Sequence, residues 1–125
     1  MELRTFGGLA IHPRAALEGA GAQKRRLALL ALVDASGDRG VSREKLLGYL
    51  WAESDEEKAR GALAQALYSL RKSLASDDLF LGTNEVRLNP EVLGSDRARF
   101  LAFLAKGDLE AAVAQYTGPY LDGFI

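Results

Sequence analysis

The sequence predicts an α+β chain that is mainly α, and three observations predict it. The stretch Ser54 to Leu74, SDEEKARGALAQALYSLRKSL, repeats Leu63, Leu67, Leu70 and Leu74 at helical spacing, one apolar stripe along one helix. Downstream, LFLGTNEVRL sets two short β-forming runs around Gly82-Thr83-Asn84-Glu85, a hairpin signal. Two more amphipathic segments, Asp96 to Lys106 and Asp108 to Thr117, follow Asn89-Pro90 and read as an antiparallel helical pair.

Composition bounds the function before any motif does. The chain's 125 residues suit one compact domain, or a small domain and the start of a second. With no cysteine there is no disulfide, no thiol nucleophile and no cysteine zinc site. His12 is the single histidine and sits before Pro13, so a multi-histidine metal site is excluded and a loop position is expected. No cofactor is expected. The opening MELRTFGG has no basic region leading into an apolar one, so no signal peptide is expected. The longest apolar run, Leu27 to Val33, is too short to span a bilayer. A soluble cytoplasmic protein without membrane contact is the resulting expectation.

Net charge is −1, from 16 basic and 17 acidic residues, which argues against indiscriminate binding to polyanions. The charge is uneven, however. Residues 21 to 50 hold six cations against three anions, whereas residues 89 to 125 hold three against five. Any basic surface must therefore be local and argued from position.

Taken in order, Glu2 to Ile11 mixes β-formers with a glycine pair and predicts a strand or a bulged strand, ended by Pro13. Leu17 to Gln23 has room for one more short strand. Gln23 to Ser36 is the first helix, closed by Gly37 and apolar all round in its middle, as a helix covered on most sides would be. Lys24, Arg25 and Arg26 occupy its first turn, the end where cations are unfavourable, and this hints at a partner or at acidic neighbours. Ser42 caps a second helix through about Leu50, with Val41 and Leu46 at hydrophobic-staple spacing and Trp51 as core at its end. The acidic connector from Ala52 to Asp55 leads into the third helix. There Ser54 and Glu57 stand at capping-box spacing, and Arg71 and Lys72 complement the far end of the dipole. Asp96 to Lys106 is expected to turn Phe100, Phe103 and Leu104 inward, and Asp108 caps the last helix, with Leu109, Ala112, Val113 and Tyr116 apolar.

Three helices followed by a hairpin, the third basic on its free side, is the plan of a winged helix-turn-helix. From Lys58 to Lys72 that helix has four cations and no anion. The last two helices look like the first hairpin of a helical (TPR-like) repeat array. This gives residues 1–90 as a winged helix-turn-helix domain and 91–125 as the start of a helical domain.

A family is visible in these residues. GVSREKLLGYLW, then ARGALAQALYSLRKSL, then a hairpin resembles the OmpR-type winged-helix domain. Its combination with DRARFLAFLAKGDLEAAVAQYTGPYLDGF is similar to the bacterial transcriptional activator domain (BTAD) that follows it in SARP-type regulators. The resemblance runs from Leu3 to Phe124 and implies a small N-terminal β-sheet before the helices. It implies a transcriptional regulator, an activator, whose third helix enters the major groove of double-stranded DNA and whose wing touches the adjacent minor groove. Carried over by position, Lys58, Arg60, Ala64, Gln65, Tyr68, Ser69, Arg71 and Lys72 fall on the groove-facing side, and Thr83, Asn84 and Arg87 in or beside the wing. Phosphate contacts are expected from Arg60, Arg71, Lys72 and Arg43, with limited base readout by Gln65 and Tyr68. The resemblance suggests RNA polymerase as a partner for the acidic connector Glu53 to Glu57, and so few contacting groups imply a homodimer on repeated half-sites.

Two other classes compete with this one. An enzyme finds no support: there is no G-x-x-x-x-G-K loop, no H-E-x-x-H and no nucleophile motif. A protein-interaction module that keeps the winged-helix shape without using DNA fits the near-neutral charge and the alanine-rich third helix.

Overall fold

The computed structural model describes residues 1–13 and 23–124, so the strand expected within Leu17 to Gln23 lies almost wholly outside the described residues. The chain divides into two compact units, Met1–Arg14 with Pro90–Ile125, and Ala15–Asn89. The first residues, grouped above with 15–90, thus fall with the C-terminal segment. The reason is a strand pairing: β1 (Glu2–Arg4) runs parallel to β6 (Gly94–Ser95), with Leu3 opposite Ser95, and antiparallel to β2 (Ala10–His12). The expected bulged strand is therefore two strands joined through the glycine pair.

The central unit, Ala15–Asn89, holds α1 (Gln23–Ala35), a 3-10 turn, β3 (Val41–Ser42), α2 (Arg43–Leu50), α3 (Glu56–Ser73), β4 (Phe80–Leu81) and β5 (Glu85–Leu88). Its core is built from the faces that sequence periodicity marks: Leu29, Leu30 and Val33 of α1, Leu46 of α2, and Ala59, Leu63, Ala66, Leu67 and Leu70 of α3 are all buried. Trp51 closes α2 as a core residue at 8% exposure. Ser42 caps α2 as expected, its Oγ accepting the Lys45 N–H at 3.1 Å. The same residue also lies in a strand not foreseen from sequence, β3, where Val41 faces Val86 and Ser42 faces Glu85 in a sheet ordered β3-β5-β4.

Two details of α3 depart from expectation. Its cap is Asp55, not Ser54: the Asp55 carboxylate accepts the Lys58 N–H at 2.9 Å, so the capping box is not formed. At the other end, Ala75 takes φ +52°, while the Ser76 and Ala75 N–H groups bond the Arg71 and Lys72 carbonyls at 2.9 and 3.1 Å. This is a Schellman closure with a Cβ where glycine is preferred. At the end of the helix that begins at Asp96 the same closure is made by Gly107, at φ +78°. Ala75→Gly is therefore expected to stabilise the protein by about 0.5–1 kcal/mol in urea unfolding. An unchanged midpoint would mean that Ala75 carries no strain.

In the other unit, α4 (Asp96–Ala105) and α5 (Leu109–Gln115) pack as a hairpin, capped by Ser95 and Asp108. Phe6 makes ring contacts with Phe100, Tyr116 and Tyr120 at 5.6, 5.2 and 6.0 Å. Arg99 pairs with Glu2 and donates to Gln115 Oε1 at 2.9 Å, so it spans β1 and α5. Burial raises the Glu2 carboxyl, but the hydrogen bonds and charges of Arg4 and Arg99 outweigh that and hold it below its ordinary value. Leu104, expected inward, is 41% exposed, and Leu101 is 50% exposed. On α5 only Ala112 is buried, while Leu109 and Val113 are 64% and 68% exposed.

Candidate nucleic-acid interface

α3 is long and its apolar stripe is buried, so its remaining surface is displayed by construction. Lys58, Arg60, Ala64, Gln65, Tyr68 and Lys72 are exposed, and Arg71 is half-buried on the shoulder. Ser69 departs from the expected set. It is 2% exposed, and its Oγ accepts from the Gln65 amide at 3.2 Å. Position 69 lies one turn from Ala66 and two turns from Ala62, on the flank that packs, so it does not face outward. This bond engages one of the two N–H donors of the Gln65 amide and leaves the other, with Oε1, for bidentate adenine readout.

The cations of α3 are held in different ways. Arg60 is bonded to Glu56 at 2.8 Å, one turn earlier, and this partner raises its pKa further. A surface pair of this kind exchanges readily for a phosphate. Lys72 lies 5.8 Å from the centre of the Tyr68 ring, a cation–π contact that keeps the ammonium on the outer side of the helix.

The β4–β5 hairpin is anchored to the start of α2. Phe80 faces Leu88 and Leu81 faces Arg87 across the strands. The Arg43 N–H donates to the Asn84 carbonyl, and Arg43 Nε to the Thr83 carbonyl, each at 3.4 Å. Arg43 thus combines a charge with a hold on the turn. Gly82 enters that turn at φ +95°, where a Cβ would stand 2.1 Å from the Glu85 carbonyl oxygen, so glycine is required. Thr83, Asn84 and Arg87 are exposed, with Val86 buried between them on the opposite side of β5.

Sequence reasoning left Arg25, Arg26 and Trp51 out of the interface. Arg25 lies over the Trp51 ring at 5.5 Å. The signal was the basic first turn of α1, in which the structure places no acidic residue. Among the described residues no group of His, Asp and Glu could hold a metal ion, and no helix is long and apolar enough to cross a membrane.

This mixed α+β architecture, with its five helices and small sheets among the described residues, is consistent with a winged-helix-like fold. Among solved structures the chain is similar to Mycobacterium tuberculosis EmbR, a SARP-family regulator, in complex with a low-affinity phosphopeptide, at 25% identity and a TM-score of 0.65. The match covers 98% of this chain and 38% of that one, so the chain spans well under half of EmbR's length. No protein-family model and no curated protein matches the chain. The likeness supports a SARP/OmpR-like winged-helix domain.

Proposed function

We propose that the protein is a cytoplasmic, non-enzymatic, DNA-binding regulator that activates transcription, with α3 entering the major groove and the β4–β5 hairpin acting as the wing. The observation that carries this reading is the outer side of α3. Lys58, Arg60, Gln65, Tyr68 and Lys72 are displayed there, and no carboxylate interrupts the sequence from Lys58 to Lys72. Arg43 and Arg87 extend the basic surface toward the hairpin. On a chain of net charge −1 such a surface attracts phosphate locally without making the protein a general polyanion binder.

Residues 1–90 form the DNA-binding part in this reading, and 91–125 begin a TPR-like activator domain. The exposed connector Glu53–Glu57 offers RNA polymerase an acidic contact, and a homodimer on repeated half-sites supplies the affinity that one small face lacks. The test is a titration of random-pool duplex DNA at several salt concentrations, with sequencing of the bound fraction. A log–log slope of roughly −3 to −5, matching about three to five phosphate contacts, and an enriched repeat are expected.

One observation favours a second reading, a protein-interaction module. Leu101, Leu109 and Val113 of the α4–α5 hairpin are 50–68% exposed, and large apolar side chains gathered on one surface mark a site for a partner. Absence of duplex binding at low salt would transfer the assignment to this reading.

A further inference from the structure

A surface groove of about 200 Å³ lies between the start of α1, the end of α2 and one flank of α3, lined by Arg25, Arg26, Trp51, Ala62, Gln65 and Ala66. Its lining is apolar except for two guanidinium groups and one amide, and no carboxylate takes part. Arg25 is occupied only by the face of the Trp51 ring. Arg26 is more telling: its Nε and Nη1 are buried and have no hydrogen-bond partner. Buried charged donors without an acceptor are unfavourable, and cations in the first turn of a helix add to that cost. Both penalties vanish when an anion enters.

We infer that this groove is a docking site for a backbone phosphate of duplex DNA, seated beside the base-reading side of α3. The inference rests on the DNA-binding reading above and extends it to residues on α1. Gln65 ties the two together, since it lines the groove and is also exposed on the outer side of α3. A turn of the Arg26 side chain brings an unpartnered donor to a phosphate oxygen as a charge-assisted hydrogen bond, and Arg25 closes over the other side. The contact is made to the sugar-phosphate backbone, so it sets the position of α3 on the duplex without reading sequence.

Trp51, the single tryptophan, makes the groove its own reporter. Its emission, excited at a wavelength that DNA does not absorb, is expected to change as a duplex of arbitrary sequence is added. Arg25→Gln with Arg26→Met keeps the aliphatic stems and removes the charges. This variant should lose the emission change, bind all duplex sequences about 10-fold more weakly, and show a salt slope shallower by about one to two. Arg26→Lys alone, which keeps a charge on a similar stem, should retain most of the slope. An unaltered slope in the double variant, with duplex binding still lost on substituting Arg71 and Lys72, would overturn the groove while leaving the DNA-binding reading in place. A loss in Arg26→Lys as large as in the double variant would assign Arg26 to packing and also overturn it. If the wild-type protein binds no duplex at low salt, the functional reading and this inference fall together.

Discussion

Asp96→Ala is expected to lower the stability of the unit that holds it by about 3–5 kcal/mol, the largest effect of any single substitution considered. Asp96 is 4% exposed and opens α4, yet its carboxylate serves residues ninety positions away. Oδ1 accepts the Thr5 N–H at 2.9 Å and the Thr5 hydroxyl at 2.6 Å; Oδ2 accepts the Phe6 N–H at 3.0 Å. The Arg97 N–H completes the set at 2.8 Å. Truncation leaves the donors of Thr5, itself fully buried, with nothing to bond, and each orphan costs about 1–3 kcal/mol. Asp96→Asn keeps an acceptor but turns an NH2 group toward other donors, so a smaller loss of about 2 kcal/mol is expected. Urea unfolding gives the magnitude, and hydrogen exchange at the Thr5 and Phe6 amides gives the location. Retained protection of both amides in Asp96→Ala would show that another acceptor holds the end of β1.

The same residue shows what could and could not be read from sequence. Asp96 was legible as the start of a helix, because its local pattern is that of a first turn. Its partners were not, because β1 and β6 pair in parallel across the length of the chain and neither has a periodic signal of its own. α3 was legible almost to the residue, since its leucine spacing and charge gradient act within a few turns. Its cap was misplaced by one position because Ser54 and Asp55 both have capping chemistry, and only geometry chooses the carboxylate. In the interface, the outer residues of α3 follow from helical spacing alone. Ser69 did not, because the buried sector is wider than the leucine stripe that marks it and takes in the Ala62–Ala66–Ser69 flank. Arg26 was visible as a charge in an unfavourable place. That its donors are buried and unpartnered depends on Trp51 and α3 coming together around it.

Arg71→Ala combined with Lys72→Ala should weaken duplex binding by roughly 100-fold or more at physiological salt while leaving the protein folded. Two charge-assisted hydrogen bonds to phosphate, at about 1.5–3 kcal/mol each, set that scale. The competing explanation is local: both residues lie in the last turn of α3, where cations complement the helix dipole. That role is worth about 0.3–1 kcal/mol per charge at an exposed site, so the double variant should lose about 1 kcal/mol of stability on either view. Neither side chain belongs to the buried stripe of Leu63, Leu67, Leu70 and Leu74, so no cavity is opened. Stability therefore cannot separate the two explanations, whereas binding can. Removing a dipole partner leaves affinity for folded protein unchanged; removing a phosphate contact lowers it equally on every sequence and flattens the salt dependence. Affinity and slope unchanged in the double variant would place the DNA contact off the end of α3 and leave Lys72, against the Tyr68 ring, as a helix-closing residue only.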